Sequence, residues 1–252
     1  MALGVMSQKN NDGKRTARDR LREEQARQKG AEKRRRTLKV GAVVVGVLVV
    51  ATAVSVIVAQ TKKDDGGSGS DAKPITVGKT SAPARLTVYE DFRCPACAQF
   101  ENHFRSTVRG LEKAGKLKTE YHLVTLIDGN MGGSGSKKAA NAAACARDAG
   151  KFPEYHDVLY QNQPAEQDDA FASDKRLLAL AGKVDGLEGP GFEKCVKSGK
   201  HDAWVKESND SFRNSEHKAT PTILLDGKDV YSDQSNPLTP GKLKKMVEQK
   251  AA

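Results

Sequence analysis

The sequence is short of the residues that build metal and nucleotide sites. Four cysteines and five histidines occur in 252 residues. Cys94 and Cys97 form one C-x-x-C, whereas Cys145 and Cys195 stand fifty residues apart. No second pair is present to complete a four-ligand zinc site. His103, His122, His156, His201 and His217 include no pair at three-to-five spacing. Singly they read as surface or packing residues, so no metal is expected. Gly78-Lys79-Thr80 resembles the end of a phosphate loop, but the leading glycine of such a loop would fall where Lys73 stands. The Gly-Gly-Ser-Gly-Ser runs lack the strand-to-helix setting of a dinucleotide site, so no cofactor is expected. No internal repeat is present. Aromatic residues make up 5% of the chain and none occurs in residues 1–37, which argues against nucleic-acid binding by that basic segment.

Charge is missing altogether from Val40 to Ala59. Twenty residues at helical rise span roughly 30 Å, the thickness of a bilayer core, so a transmembrane helix is expected over 40–59. Residues 1–39 hold thirteen Lys and Arg against five Asp and Glu, which is +8 of the net +10. The basic pI therefore describes this tail. Lys33-Arg34-Arg35-Arg36 and Lys39 precede the span, and Lys62 and Lys63 after it are balanced by Asp64 and Asp65. The denser positive flank places the N-terminus in the cytoplasm and the rest outside. Ile57-Val58-Ala59 offers a weak cleavage site, but the apolar run exceeds a signal core of about 7–15 residues, favouring an uncleaved single-pass anchor in the cell membrane. No cysteine follows the span to carry a lipoprotein modification.

These readings divide the chain into a mobile basic tail (1–39), a membrane span (40–59), a Gly/Ser-rich linker (60–74) and a globular domain (75–252). Residues 84–92 carry strand character. From Pro95 the period changes, with Cys97, Phe100, Phe104, Val108 and Leu111 on one helical stripe. Residues 116–127 return to strand character. Residues 129–136 read as a loop, with Ser136 capping an Ala-rich helix to about Ala149. Helices follow at 153–162, 174–184, 190–198 and 200–216. A strand at 220–225, an Asp226-Gly227 turn, a partner strand at 228–231 and a helix at 239–250 close the chain. The order is β-α-β, a helical insert over about 133–216, then β-β-α, an α/β class.

The C-x-x-C therefore sits where a strand gives way to a helix. Pro95 suits the first helical position, and Cys94 faces the unpaired N–H groups and positive dipole end. Both favour thiolate, the attacking species. Cys97 shares the inward stripe. An exposed attacker and a shielded resolver are expected, forming and closing a mixed disulfide with a partner protein.

These residues resemble the DsbA-like thiol:disulfide oxidoreductases of the thioredoxin superfamily, most closely membrane-anchored actinobacterial ones. The likeness rests on Tyr89-Glu90-Asp91-Phe92 leading into Cys94-Pro95-Ala96-Cys97. It extends to Lys151-Phe152, Tyr155 to Tyr160, Asn162-Gln163-Pro164 and Ala219-Thr220-Pro221-Thr222. It implies a thioredoxin fold with a helical insertion, and a cis Thr220-Pro221 bond that turns the Thr220 backbone toward the cysteines, where it binds substrate like an added strand. An even cysteine count in an oxidising compartment favours pairing of Cys145 with Cys195, and the resemblance agrees, implying a structural disulfide. One position departs from the pattern. Thioredoxins carry a buried acid six residues before the first cysteine, where this chain has Val88. Glu90 and Asp91 stand closer and are either substitute proton-transfer groups or solvated residues at a strand end. The resemblance further implies reduced secreted proteins as substrates and a quinone-linked membrane partner of the DsbB or vitamin-K-epoxide-reductase type for reoxidation. A reductase or isomerase using the same cysteines, and a tethered peptide-binding module without catalysis, are the alternatives.

Overall fold

The computed structural model describes residues 72–251. The expected basic tail, the membrane span and all but the end of the linker lie outside the described residues. No helix among the described residues is long and apolar enough to cross a membrane. The linker expectation stops short of 74, because Ala72 is buried and the Trp204 indole N–H donates to the Lys73 carbonyl.

Five strands form one mixed sheet in the order β1-β3-β2-β4-β5. The strands are β1 (Ile75–Val77), β2 (Ala84–Glu90), β3 (Leu117–Leu123), β4 (Thr222–Leu225) and β5 (Lys228–Asp229). β2 runs parallel to β3, Ala84 opposite Leu117 through Glu90 opposite Leu123, and antiparallel to β4. Because β2 is central, Ala84, Leu86 and Val88 are fully buried. The parallel β2–β3 pair needs a crossover, and helix α1 (Pro95–Lys113) supplies it. Its stripe of Cys97, Phe100, Phe104, Val108 and Leu111 is buried, as its period requires. In the β4–β5 turn Asp226 and Gly227 both have positive φ, 49° and 83°, the backbone that an Asp-Gly hairpin supplies. β1 was not read from the sequence; three residues are too few to display a period.

The helical insert begins earlier than expected, with α2 (Leu126–Met131). Residues 124–127 therefore leave the sheet rather than extend β3. The Val124 N–H still bonds the Glu90 carbonyl at 2.9 Å, but the Ile127 N–H turns to the Asp91 carboxylate at 2.9 Å and starts a helical turn. Helix α3 (Gly135–Asp148) starts at Gly135, before the expected Ser136 cap. Two distant carboxylates take the place of a local cap. Asp169 accepts the Ser134 and Gly135 N–H groups, and Asp128 accepts those of Ser136 and Lys137. Gly133 and Gly135 leave room for the Asp169 carboxylate, which a Cβ at either would strike. Ala139, Ala140, Ala142, Ala143, Ala144 and Ala146 are all fully buried, so small side chains let neighbouring helices approach α3 closely. Those neighbours are α4 (Phe152–Gln161), α5 (Asp174–Ala181), α6 (Pro190–Ser198) and α7 (Asp202–Asn214), and α8 (Pro240–Lys250) ends the chain on α1. The Cys145–Cys195 disulfide, S–S 2.05 Å, ties α3 to α6.

Candidate active site

The turn between β2 and α1 is fixed from three sides. The Asp91 carboxylate accepts the Arg93 N–H at 2.8 Å with one oxygen and the Ile127 N–H with the other. The Gln163 side-chain amide donates to both the Phe92 and Cys94 carbonyls, each at 2.9 Å. Arg93, nearly buried, donates to Asp128 at 2.8 Å, to the Gly132 carbonyl at 2.8 Å and to the Glu166 carbonyl at 3.1 Å, and lies 3.1 Å from Asp169. One guanidinium thus joins the cysteine turn to the insert. These bonds leave Cys94 as the N-cap of α1, extended at φ −76° and ψ 117°, with Pro95 directly after it.

The two thiols differ, although less in exposure than the sequence suggests. Cys94 is 6% exposed and Cys97 is fully buried. The difference lies in their partners. The Cys94 pKa falls from the ordinary thiol value of 9.0 to about 6. The largest cause is the hydrogen bond from the Cys97 thiol; burial opposes it, and hydrogen bonding from Thr220 and the backbone N–H groups of Cys97 and Ala96 reinforces it. Burial pushes the Cys97 thiol well up, and the neighbouring Cys94 adds to this. One sulfur is a thiolate at neutral pH and the other keeps its proton. The Thr220-Pro221 peptide bond is cis, and the Thr220 carbonyl lies 3.4 Å from the Cys94 sulfur. Residues 126 positions apart in sequence meet there, as the resemblance implied.

Glu90 and Asp91 are both fully buried, which removes the reading of them as solvated residues. Burial raises Asp91 to about 7, against the pull of the Ile127 and Arg93 N–H groups. Glu90 Oε1 lies 2.8 Å from His156 Nε2. For His156, burial alone would lower the pKa, but the Glu90 charge, Asp157 and Glu101 outweigh it and carry it up to about 10. His156 is buried as a packing residue would be, and beyond that role its ring nitrogen meets the Glu90 carboxylate, which favours its charged form. The rings of Phe92, Tyr121, Phe152 and Tyr160 enclose it at 4.8 to 5.7 Å. Two groups among the described residues bring three ligand-type atoms within 4.8 Å of one another. In Cys145, Cys195 and His201 the sulfurs are already tied as a disulfide. In Glu90, Glu101 and His156 a hydrogen bond occupies the closest approach.

Sequence reasoning missed Arg93, Gln163, Glu101 and His156. Glu101 carried a signal, four residues after Cys97 and so on the same helical face. Gln163 lay in a segment that matched the family without suggesting a role. Arg93 and His156 act through contacts that only the folded chain makes.

The thioredoxin family model, described as "Thioredoxin", matches residues 70–249. This chain belongs to the thioredoxin family. A probable disulfide bond formation protein D of Bacillus cereus is 22% identical over 188 residues, covering 73% of this chain and 84% of that protein. Oxidised DsbA of Mycobacterium tuberculosis superposes with a TM-score of 0.61 at 27% identity, covering 71% of this chain and 93% of that one. The reduced disulfide bond oxidoreductase DsbG of the same organism gives 0.60 at 28% identity, covering 70% and 86%. The chain is a DsbA-like thiol:disulfide oxidoreductase.

Proposed function

We propose that this oxidoreductase is a membrane-anchored, extracytoplasmic oxidase that introduces disulfides into reduced secreted proteins through Cys94 and Cys97. The thiolate at Cys94 carries this reading. Whatever holds Cys94 ionised stabilises the reduced protein, and a stable reduced form makes the disulfide a stronger oxidant. A substrate thiolate attacks the Cys94 sulfur of the Cys94–Cys97 disulfide, and Cys97 leaves. A second substrate thiol then attacks the substrate sulfur of the mixed disulfide, and Cys94 leaves as the stabilised thiolate. The extended backbone at Thr220, beside that sulfur, supplies a carbonyl against which the substrate segment aligns. An open groove of about 580 Å³ alongside α1, lined by Gln99, His103, Phe104, Tyr231 and Leu238 among others, gives the same segment room to continue. Turnover then needs an electron acceptor, and the uncharged run at 40–59 would hold the domain beside a quinone-linked membrane enzyme of the DsbB or vitamin-K-epoxide-reductase type.

The reduction potential of residues 72–252, measured against glutathione, tests the direction. A value well above that of thioredoxin, roughly −270 mV, is expected; a value at or below it makes the protein a reductase. Cys94→Ser should abolish oxidative refolding of a reduced substrate. Retained refolding would leave only a peptide-binding role. Digestion of the domain by protease added to intact protoplasts, with residues 1–39 cut only after lysis, tests the orientation; a domain protected until lysis would overturn it.

A further inference from the structure

Away from the Cys94–Cys97 pair, three more ligand-type side chains converge. Cys145 comes from α3, Cys195 from α6, and His201 stands at the N-cap of α7. The two sulfurs and one ring nitrogen of His201 lie within 4.8 Å of one another. Other bonds hold these elements together besides the S–S bond. Asn141, buried one turn before Cys145, donates its side-chain amide to the Val196 carbonyl at 3.2 Å and accepts the His201 N–H at 2.8 Å. Asp148, at the end of α3, lies 2.8 Å from His201 Nε2 and 2.6 Å from Lys200 Nζ. The end of α6 and the start of α7 are thus pinned to α3 both before and after Cys145, by contacts that reduction of the disulfide leaves in place.

The setting suits a cation. Both cysteines lie in the last turn of their helices, where the negative dipole end disfavours a free thiolate and attracts positive charge. A zinc ion holds thiolates at about 2.3 Å and an imidazole at about 2.0 Å, so its tetrahedral ligand atoms stand roughly 3.5 to 3.8 Å apart. The Cα atoms are 5.9 Å apart, which lets two freed sulfurs turn to that spacing with the helices in place. Asp148 fixes the imidazole ring, as carboxylates do for zinc-bound histidines. Cys145 is buried, whereas Cys195 and His201 are half-buried and open a path from solvent.

We propose that in the dithiol state, the state in which the chain is made, Cys145, Cys195 and His201 bind one zinc ion, with water in the fourth position. Binding releases the two thiol protons to the buffer, and the imidazole binds in its neutral form. The ion joins α3 to α6 and α7 as the disulfide does afterwards. Disulfide formation displaces it. The two thiolates pass two electrons to an oxidising disulfide such as glutathione disulfide, the thiolates released take two protons from the buffer, and zinc leaves. No spacing in the sequence announces this site, because its ligands belong to three separate helices. It needs no part of the reading of Cys94 and Cys97.

The full chain carrying Cys94→Ser and Cys97→Ser, in detergent, reduced with a phosphine and kept free of oxygen, tests the site by titration with cobalt(II) and then zinc(II). One equivalent of cobalt should give an intense thiolate-to-metal charge-transfer band and the strong visible bands of a tetrahedral site, and zinc should remove both. The disulfide form should give neither. His201→Ala should shift the visible bands and weaken binding by more than the roughly 10- to 100-fold that loss of a supporting group costs. One equivalent of zinc should also slow formation of the Cys145–Cys195 bond by glutathione disulfide. Where the reduced chain does not fold alone, zinc should restore its helical circular dichroism, because binding then appears as folding. A dithiol chain that gives no cobalt bands, folded or not, overturns the proposal. So do bands and affinity unchanged in His201→Ala, which would mean loose capture by thiols, and an oxidation rate that zinc leaves untouched.

Discussion

A pH titration of the reduction potential tests the Cys94 thiolate most directly. Reduction of the Cys94–Cys97 disulfide takes up two electrons. Below the Cys94 pKa both sulfurs also take up a proton, and above it only Cys97 does. With Cys94 at about 6 and Cys97 well above 9.0, the potential should fall with pH in two slopes that meet near pH 6. The slopes are about 59 mV per pH unit below the break and about 30 mV above it. The folded pKa of Cys94 is depressed, so its stabilising effect is complete above the ordinary thiol value and is lost as pH falls through about 6. At pH 7 the ionisation favours the reduced form by about 1.4 kcal/mol relative to a thiol of ordinary pKa, or about 30 mV. Equilibration in glutathione buffers from pH 4 to pH 8, with alkylation to quench, measures the curve. The reduced protein should also gain unfolding stability between pH 6 and pH 9 that the oxidised protein does not. A single slope of about 59 mV per unit across the whole range would refute the reasoning. The hydrogen bond from Cys97 and the contacts from Thr220 and the helix N-terminus would then not outweigh burial.

Three further perturbations separate the scaffold from the chemistry. Gln163→Ala removes the two bonds that hold the Phe92 and Cys94 carbonyls and should lower stability by about 2 kcal/mol in urea unfolding, while shifting the Cys94 titration upward as the turn loosens. Arg93→Met leaves the partly buried carboxylates of Asp128 and Asp169 without their cation and should cost about 3 kcal/mol, read by the same denaturation. Replacing Cys145 and Cys195 together with Ser opens a loop with a sequence separation of 50 and should cost about 4 kcal/mol in the chain-entropy account, with the rate of thiol attack at Cys94 retained.

What the sequence made legible were features with a short range. The apolar stripe of α1 needs only the helical period, and the N-cap position of Cys94 needs only the junction before Pro95. The Asp-Gly turn between β4 and β5 is equally local. The C-terminal end of β3 was misjudged for a local reason too. Val124, Thr125 and Ile127 are β-branched and favour a strand, but Asp91, from another strand's end, captures the Ile127 N–H and turns the chain into α2. The start of α3 shows the same override, since Asp128 and Asp169 cap it in place of Ser136. His156 is the clearest case of what stays hidden. On α4 it lies between Phe152 and Tyr160 at helical spacing and reads as packing. Its charge arises only when α4 is laid against β2 and Glu90 meets its ring.

The two thiols owe their difference first to each other and then to separate parts of the chain. Cys94 is tuned by the Cys97 thiol, then by Thr220, 126 residues away in the β-β-α half of the fold, and by the backbone N–H groups at the start of α1. Cys97 is raised by burial and by the neighbouring Cys94, with the Glu90 charge adding to both, and Glu90 is held by His156 from the insert. The insert therefore bears on the cysteine site as well as covering the sheet. Arg93 and Gln163 reinforce this, since both tie the cysteine turn to elements of the insert. A change in α4 reaches Cys97 through His156 and Glu90, and through the bond from the Cys97 thiol it should move the Cys94 titration as well. A change at Thr220 should act on the Cys94 titration first. Attack and resolution are therefore coupled, because the bond from Cys97 that holds Cys94 ionised and the Cys94 charge that keeps the Cys97 proton in place act across the same pair of sulfurs.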